Sequence, residues 1–196
     1  MDIKGKKAIV FGGTSGIGLA TCQELQARGA EVVAVSRDPN KAGTSIGYIR
    51  LAAVDARDSD AVSAFFESEG KVDILISSAT GGSRAFGPFL EMDIDGFKGS
   101  FDKLWGYSNV VRYGTAKLDD YGCIVLVSGT PARRMKPGQV ALSAVGGAVE
   151  ALARAIAPEI APKRINVVAP GIVDTPMVAL TGDERAAHYR NVTKSH

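Results

Sequence analysis

The sequence predicts an α/β fold: a doubly wound parallel sheet with helices on both faces, three layers in all. Three observations predict it. Short stretches that are apolar without alternation, beginning with Ala8, Ile9, Val10 and Phe11, suit strands buried on both faces. Helical patterns alternate with these stretches along the chain, the order that builds parallel sheets through crossover helices. A glycine-rich turn, Gly12-Gly13-Thr14-Ser15-Gly16-Ile17-Gly18, joins the first strand to the first helix.

The chain is expected to form a single domain over its 196 residues, long enough to bury a sizeable core. Hydrophobic residues at 45% and charged residues at 22% suit a soluble globular protein. A net charge of +2, scattered along the chain, argues against a nucleic-acid or membrane-surface partner. No apolar run reaches the length of a membrane span. Cys22 and Cys123 are too few and too far apart for a disulfide framework or a metal site. They suit core positions in a reducing compartment, and no metal is expected. The short lead 1–6 runs straight into the first strand, so a cytoplasmic location is expected.

After the first helix, Arg28-Gly29-Ala30 is a stop signal, with Gly29 able to take the left-handed cap. A second strand is expected over 31–38 and a third over 48–54. Asp58 is placed to cap a helix running through Phe66 and Ser68. A fourth strand follows at 72–76, then glycine loops at Thr80-Gly81-Gly82-Ser83 and Gly87-Pro88. A long, interrupted helical pattern covers 93–117. A fifth strand at 124–127, a helix at 140–157, a sixth strand at 165–169 and a helical lid segment at 183–190 complete the pattern, and the lid region as a whole is taken as about 175–196. The fold class is Rossmann-like.

The glycine turn carries the first functional reading. Gly12 lets the chain turn sharply, Gly16 admits a ligand close to the backbone, and Gly18 seats the helix on the strand. Backbone N–H groups at the helix start would then meet a diphosphate. The spacing is GxxxGxG, and the alternative is an ordinary tight strand–helix turn.

Together with the GxxxGxG turn, three further stretches identify a family: Asp55 after the third strand, VDILIS at 72–77, and PGIVDTPM at 170–177. The chain resembles the short-chain dehydrogenases/reductases over essentially its whole length. The resemblance implies a dinucleotide held by Gly12, Thr14, Ser15, Gly16, Ile17 and Gly18. Asp55 and Ala56 would flank the adenine, a surface-turn role for Asp55 being the alternative. Ser78, Ala79 and Thr80 stand where the family usually has Asn-Ala-Gly, and Pro170, Gly171, Ile172 and Thr175 would lie on the nicotinamide side. Ser36 and Arg37 end the second strand, where a carboxylate would select NAD; a hydroxyl and a guanidinium suit the 2′-phosphate of NADP(H) instead.

The resemblance fails at the catalytic residues. The family reduces carbonyls with a Tyr proton donor, a Lys four residues on, a Ser and an Asn. Laid over GQVALSAVGGAVEAL, the Tyr position is Leu142 and the Lys position Gly146, neither able to exchange a proton. Ser128 lies one place before the expected Ser position, which is Gly129, and Lys103 occupies the Asn position. Ser128 and Lys103 are therefore the candidate catalytic groups. Tyr113 and Lys117 form a literal YxxxK, but at the wrong end of a helix; they are expected to be surface residues.

Arg133, Arg134 and Lys136 follow the fifth strand. Their loop is either a solvated one or an attraction for an anionic substrate. His188 and His196 have no assigned role. Ala144, Gly146, Gly147, Ala148, Ala151 and Ala155 give the 140–157 helix a smooth surface, open to a cofactor ribose or to a second helix across a two-fold axis. The resemblance implies packing of this helix between subunits, so a homodimer, or a hetero-oligomer with an active relative, is expected, the alternative being that the glycines merely fit helix to sheet. By resemblance the family's seventh strand would follow, and it is expected to be lacking here, in a chain either naturally short or a shortened form. Three functions are compatible with these residues: an NADP(H)-binding structural or regulatory subunit, an NADPH-dependent carbonyl reductase with a non-standard proton donor, or a non-redox lyase, isomerase or cyclase on the same fold. The substrate is not legible.

Overall fold

The structure, a computed structural model, describes residues 2–43, 46–80 and 83–193. Six parallel strands form one sheet: β1 Lys7–Phe11, β2 Glu31–Ser36, β3 Arg50–Ala53, β4 Val72–Ser77, β5 Leu118–Val127 and β6 Arg164–Val168, in spatial order β3-β2-β1-β4-β5-β6. The helices are α1 Gly16–Ala27, α2 Ser59–Glu69, α3 Ile94–Ser100, α4 Asp102–Lys117, α5 Val140–Ile156 and α6 Gly182–Thr193. The winding reverses between β1 and β4, so their carboxyl ends open the crevice where such sheets bind ligands.

The core is two-sided, as the uninterrupted apolar strands require. On one face Ile9, Phe11, Leu75, Ile124 and Leu126 pack with residues of α2, α4 and α5; on the other Ala8, Val10, Val32, Ala34, Ile74 and Ile76 pack with α1. Phe11 meets Phe65 edge-on at 5.8 Å and Phe66 at 5.9 Å, pinning α2 to the end of β1. Tyr107 of α4 is buried and donates its hydroxyl to the Val127 carbonyl at 2.9 Å, tying that helix to the end of β5.

Several boundaries differ from the sequence reading. β2 stops at Ser36 because Asp38 caps the next turn, accepting from the Asn40 N–H. β3 spans only Arg50–Ala53, and Tyr48 is fully exposed. β5 begins earlier, at Leu118, because a register shift between Val72 and Ile74 lets it pair beyond the interrupted stretch. The 93–117 pattern splits at Phe101 into α3 and α4, and Asp93 caps α3 through the Gly96 N–H. Asp58 caps α2 as expected, accepting from Asp60 and Ala61. Gly81, Gly82 and His196 lie outside the described residues. Lys117 pairs with Glu67 and directly precedes β5, at the sheet edge opposite the crevice; Tyr113 is half-buried against the core, so it is not the surface residue expected.

Gly12 takes φ +78°, and a Cβ there would stand 2.6 Å from the Ala79 nitrogen. A Cβ at Gly18 would overlap the Gly12 carbonyl. Alanine normally stabilises a helix interior by about 1 kcal/mol over glycine, but here overpacking against fixed backbone opposes it by about 1–3 kcal/mol or more. Gly18→Ala is therefore expected to lower the urea midpoint of unfolding. An unchanged or raised midpoint would show that α1 can slide off β1.

Candidate functional site

A cleft of about 510 Å³ opens at the carboxyl ends of β1, β2, β3 and β4. Gly12, Thr14 and Ser15 line it from the glycine turn, Ser36 and Arg37 from the end of β2, Asp55 and Ala56 from the turn after β3, Ala79 and Thr80 from the turn after β4, and Lys103 from the start of α4. These ten sequence-predicted residues meet because every parallel strand delivers its following loop to the same edge.

The start of α1 is open. Ser15, at its N-cap, makes no side-chain bond into the first turn, so the leading N–H groups face outward for a ligand. The buried Ser36 hydroxyl has no hydrogen-bond partner, while exposed Arg37 follows it with no ion pair among the described residues. Asp38 is turned into its own cap.

Asp55 and Arg57 form a fork at the β3 end, with Arg57 Nη2 2.8 Å from Asp55 Oδ2; Arg57 also reaches Asp102 of α4 at 2.9 Å. The guanidinium holds the Asp55 carboxyl below the usual carboxylate range. Asn109 locks the same turn from α4, its amide donating to the carbonyls of Ala56 at 3.0 Å and Arg57 at 3.2 Å. Sequence reasoning missed Arg57, Asp102 and Asn109. The D-x-R spacing was the one signal for the first; the others reach the turn only through tertiary packing.

Lys103 is half-buried. Its ammonium donates to the Ser128 carbonyl at 3.2 Å and lies 5.4 Å from the centre of the Tyr107 ring. Tyr107 itself is no proton donor to a ligand: its hydroxyl is spent on Val127, and burial pushes it well above an ordinary phenol.

Other predicted residues sit outside the cleft lining. Ser128 is buried and donates its hydroxyl to the Gly146 carbonyl at 3.2 Å. Ser78 spends its hydroxyl on Phe11 at 3.1 Å, bracing the end of β1. Gly18 and Ile17 belong to the body of α1. Pro170 accepts from both the N–H and the hydroxyl of Thr130, at 2.9 and 2.8 Å, fastening the 170–177 loop to the end of β5. Gly171 and Ile172 are exposed beyond it, and Thr175 lies over Gly16. Arg185 of α6 donates to the carbonyls of Thr175, Val178 and Leu180 and pairs with Asp174, so α6 and this loop are stapled together. The basic loop changes its meaning: Arg133 is neutralised by buried Glu150 at 3.0 Å, leaving Arg134 and Lys136 on the surface.

The short chain dehydrogenase profile matches residues 6–186, nearly the whole of this architecture. The chain belongs to the short-chain dehydrogenase family. Among curated relatives of this short-chain dehydrogenase is L-xylulose reductase of Mesocricetus auratus, 32% identical over 186 residues, covering 90% of this chain and 75% of the relative. Two solved structures resemble it closely. A small-chain dehydrogenase in complex with NADPH has a TM-score of 0.79 and 28% identity, covering 98% of this chain and 82% of its own. BdcA in complex with NADPH has a TM-score of 0.82 and 26% identity, covering 95% and 79%. No helix among the described residues is long and apolar enough to cross a membrane, and no cluster there could hold a metal ion.

Burial, and then the like charge of Arg84, pull Lys103 from an ordinary 10.5 down to about 8. Between these values the unfolded chain holds more protons than the folded one, so stability rises with pH through that window; below it the charged lysine weakens the fold. Lys103→Met is therefore expected to be more stable than the parent at neutral pH, with the difference shrinking as pH rises from about 8 to 10.5. Urea midpoints across that range check this. A variant less stable than the parent at neutral pH would show that the ammonium is well compensated.

Proposed function

We propose that this short-chain dehydrogenase binds NADP(H) and has lost most ordinary carbonyl reduction, serving as a binding or regulatory member of its family. The observation that carries the cofactor is the juxtaposition, at the end of β2, of the Ser36 hydroxyl and the Arg37 cation, which have no hydrogen-bond partner and no ion pair respectively among the described residues. The residues fit the group: a glycine cradle and an open helix start for the diphosphate, a hydroxyl and a guanidinium for the 2′-phosphate. Two similar structures hold NADPH. Bound there, the cofactor would supply or take up a hydride; this chain's residues bind and orient it. Gly16, Ile17, Gly18, Pro170, Gly171, Ile172 and Thr175 complete the proposed contacts by resemblance, with Ser78 bracing them from behind, in a single domain with its lid.

The loss of reduction is supported at α5. By resemblance the proton donor and its lysine would stand at Leu142 and Gly146. A Cβ at Gly146 would lie 2.8 Å from the Ala132 Cβ and 3.1 Å from Ser128 Oγ, so the turn Thr130–Ala132 has closed over the space a lysine stem would use. The same contact gives Gly146 an internal reason, which favours the helix-to-sheet alternative for that glycine. A second reading keeps hydride transfer, with Lys103 as the acid. It draws on the lowered pKa, about 8, and on the place of Lys103 in the cleft wall.

The deciding experiment titrates NADPH and NADH by fluorescence and then offers aldehydes and ketones. One charged phosphate contact contributes on the order of 1.5–3 kcal/mol, roughly tenfold or more in preference for NADPH. Arg37→Ala should remove that preference. Tighter NADH binding would overturn the cofactor assignment. Turnover at rates common for enzymes would overturn the regulatory one, and a rate profile rising on a group near 8 that vanishes in Lys103→Met would favour the second reading.

We also propose a homodimer, or a hetero-oligomer with an active relative, through α5. Gly147 has open space beside it, and Ala151 and Ala155 are exposed. Sedimentation at micromolar protein should show a dimer that Ala151→Trp disrupts. A monomer, or a dimer indifferent to that change, would place the contact elsewhere.

A further inference from the structure

We propose that the β5 end of the cleft holds a small anionic group, a carboxylate or a phosphate on the protein's second ligand, between Lys103 and Arg84. This rests on the reading above that the β2 end holds NADP(H). The two ends are separated by three strand spacings, about 14 Å, so a dinucleotide phosphate near Arg37 does not also neutralise Lys103.

The inference comes from charge compensation. Of the other cations near the cleft mouth, Arg57 has Asp55 and Asp102 and Arg133 has Glu150, whereas Arg37, which makes no ion pair among the described residues, belongs to the β2 end. Lys103 has a backbone carbonyl and an aromatic face. It makes no ion pair among the described residues, although it is half-buried and its partial desolvation is costly. Arg84 adds a second cation instead of a counter-charge. Its guanidinium lies 5.9 Å from the centre of the Phe86 ring, again with no ion pair among the described residues. The Ala85 N–H donates to Ser100 Oγ at 2.9 Å, which moors this loop beside the α3–α4 junction, two residues before Lys103 begins to line the cleft. Lys103 lines an end of the cleft whose remaining lining there is Ala79, Thr80 and the Tyr107 ring, and Arg84 stands on the loop moored beside that end. An anion relieves their repulsion and the desolvation cost of Lys103 together. The anionic-ligand alternative attached to the basic loop thus moves to a different pair of residues.

Titratable neighbours leave Lys103 as the group that responds to pH. Asp102 and Asp55 are engaged by Arg57, Arg133 by Glu150, and the Tyr107 hydroxyl by Val127.

The test is calorimetric titration of inorganic phosphate and of oxalate into protein saturated with NADPH, which occupies the glycine turn. At least one is expected to bind, more weakly as pH rises from roughly 8 to 9.5, where both probes are dianions and the ammonium is lost. Lys103→Met should weaken it by roughly tenfold or more and Arg84→Ala by a smaller factor. Lys103→Arg should keep binding but lose the pH dependence, since guanidinium stays charged. Preference for oxalate or for phosphate tells the carboxylate source from the phosphate one. Failure of both to bind at roughly 10 mM, or binding unchanged in Lys103→Met protein shown folded by circular dichroism, overturns the proposal. If NADPH itself does not bind, the cofactor reading alone fails. The same titrations in the Arg37→Ala background, with the same criterion at Lys103, then decide the anion site.

Discussion

Close packing of the glycine turn on the end of β4 is the constraint on which the rest of this molecule depends. Gly12 lies against the Ser78–Ala79 backbone, Gly18 against the Gly12 carbonyl, and Thr175 over Gly16. Any side chain at the first two positions would push α1 away from the sheet and the start of α1 away from the cleft. The Ser78 N–H and hydroxyl both bond the Phe11 carbonyl, at 2.9 and 3.1 Å, so β1 and β4 end in register. The start of α1 reaches the cleft because backbone, with no side chain between, meets backbone there.

Around that contact the charges are arranged unevenly. At the β3 end Arg57 ties the turn after the strand to α4, and Asn109 secures the same turn by two carbonyls. This end is rigid and electrically satisfied. Arg37 at β2 and Lys103 with Arg84 toward β5 have no carboxylate partner among the described residues, and the Ser36 hydroxyl is buried without a hydrogen-bond partner there. Polar groups left this way cost stability unless a ligand completes them. The cleft lining thus carries Arg37 at one end and Lys103 at the other, with Gly12 between them.

The far wall is organised differently. Ser128 turns its hydroxyl into α5, Ala132 fills the space beside Gly146, and Arg133 is held down by Glu150. Each of these contacts faces inward to the protein. The 170–177 loop is held from two sides, by Thr130 at Pro170 and by Arg185 at Thr175, so α6 and the end of β5 act on the same segment.

The sequence by itself determined the sheet, because strands buried on both faces must be apolar throughout and crossover helices must separate parallel strands. It also determined which loops reach the carboxyl edge, since a parallel strand always delivers its following turn there. Gly12, Ser36, Arg37 and Asp55 were legible for that reason, and Lys103 through the family resemblance. Tertiary structure alone decided what those side chains meet. Arg57 engages Asp55 from two residues away, but Asp102 and Asn109 arrive from a helix that follows two further crossings of the chain. Ser128 stood at the right edge in the sequence and still turns away from the cleft, because the carbonyl of Gly146, bare of any side chain, is within reach of its hydroxyl. Strand ends are set by local periodicity and turn chemistry; side-chain direction and charge pairing are set by neighbours distant in sequence, which no window along the chain contains.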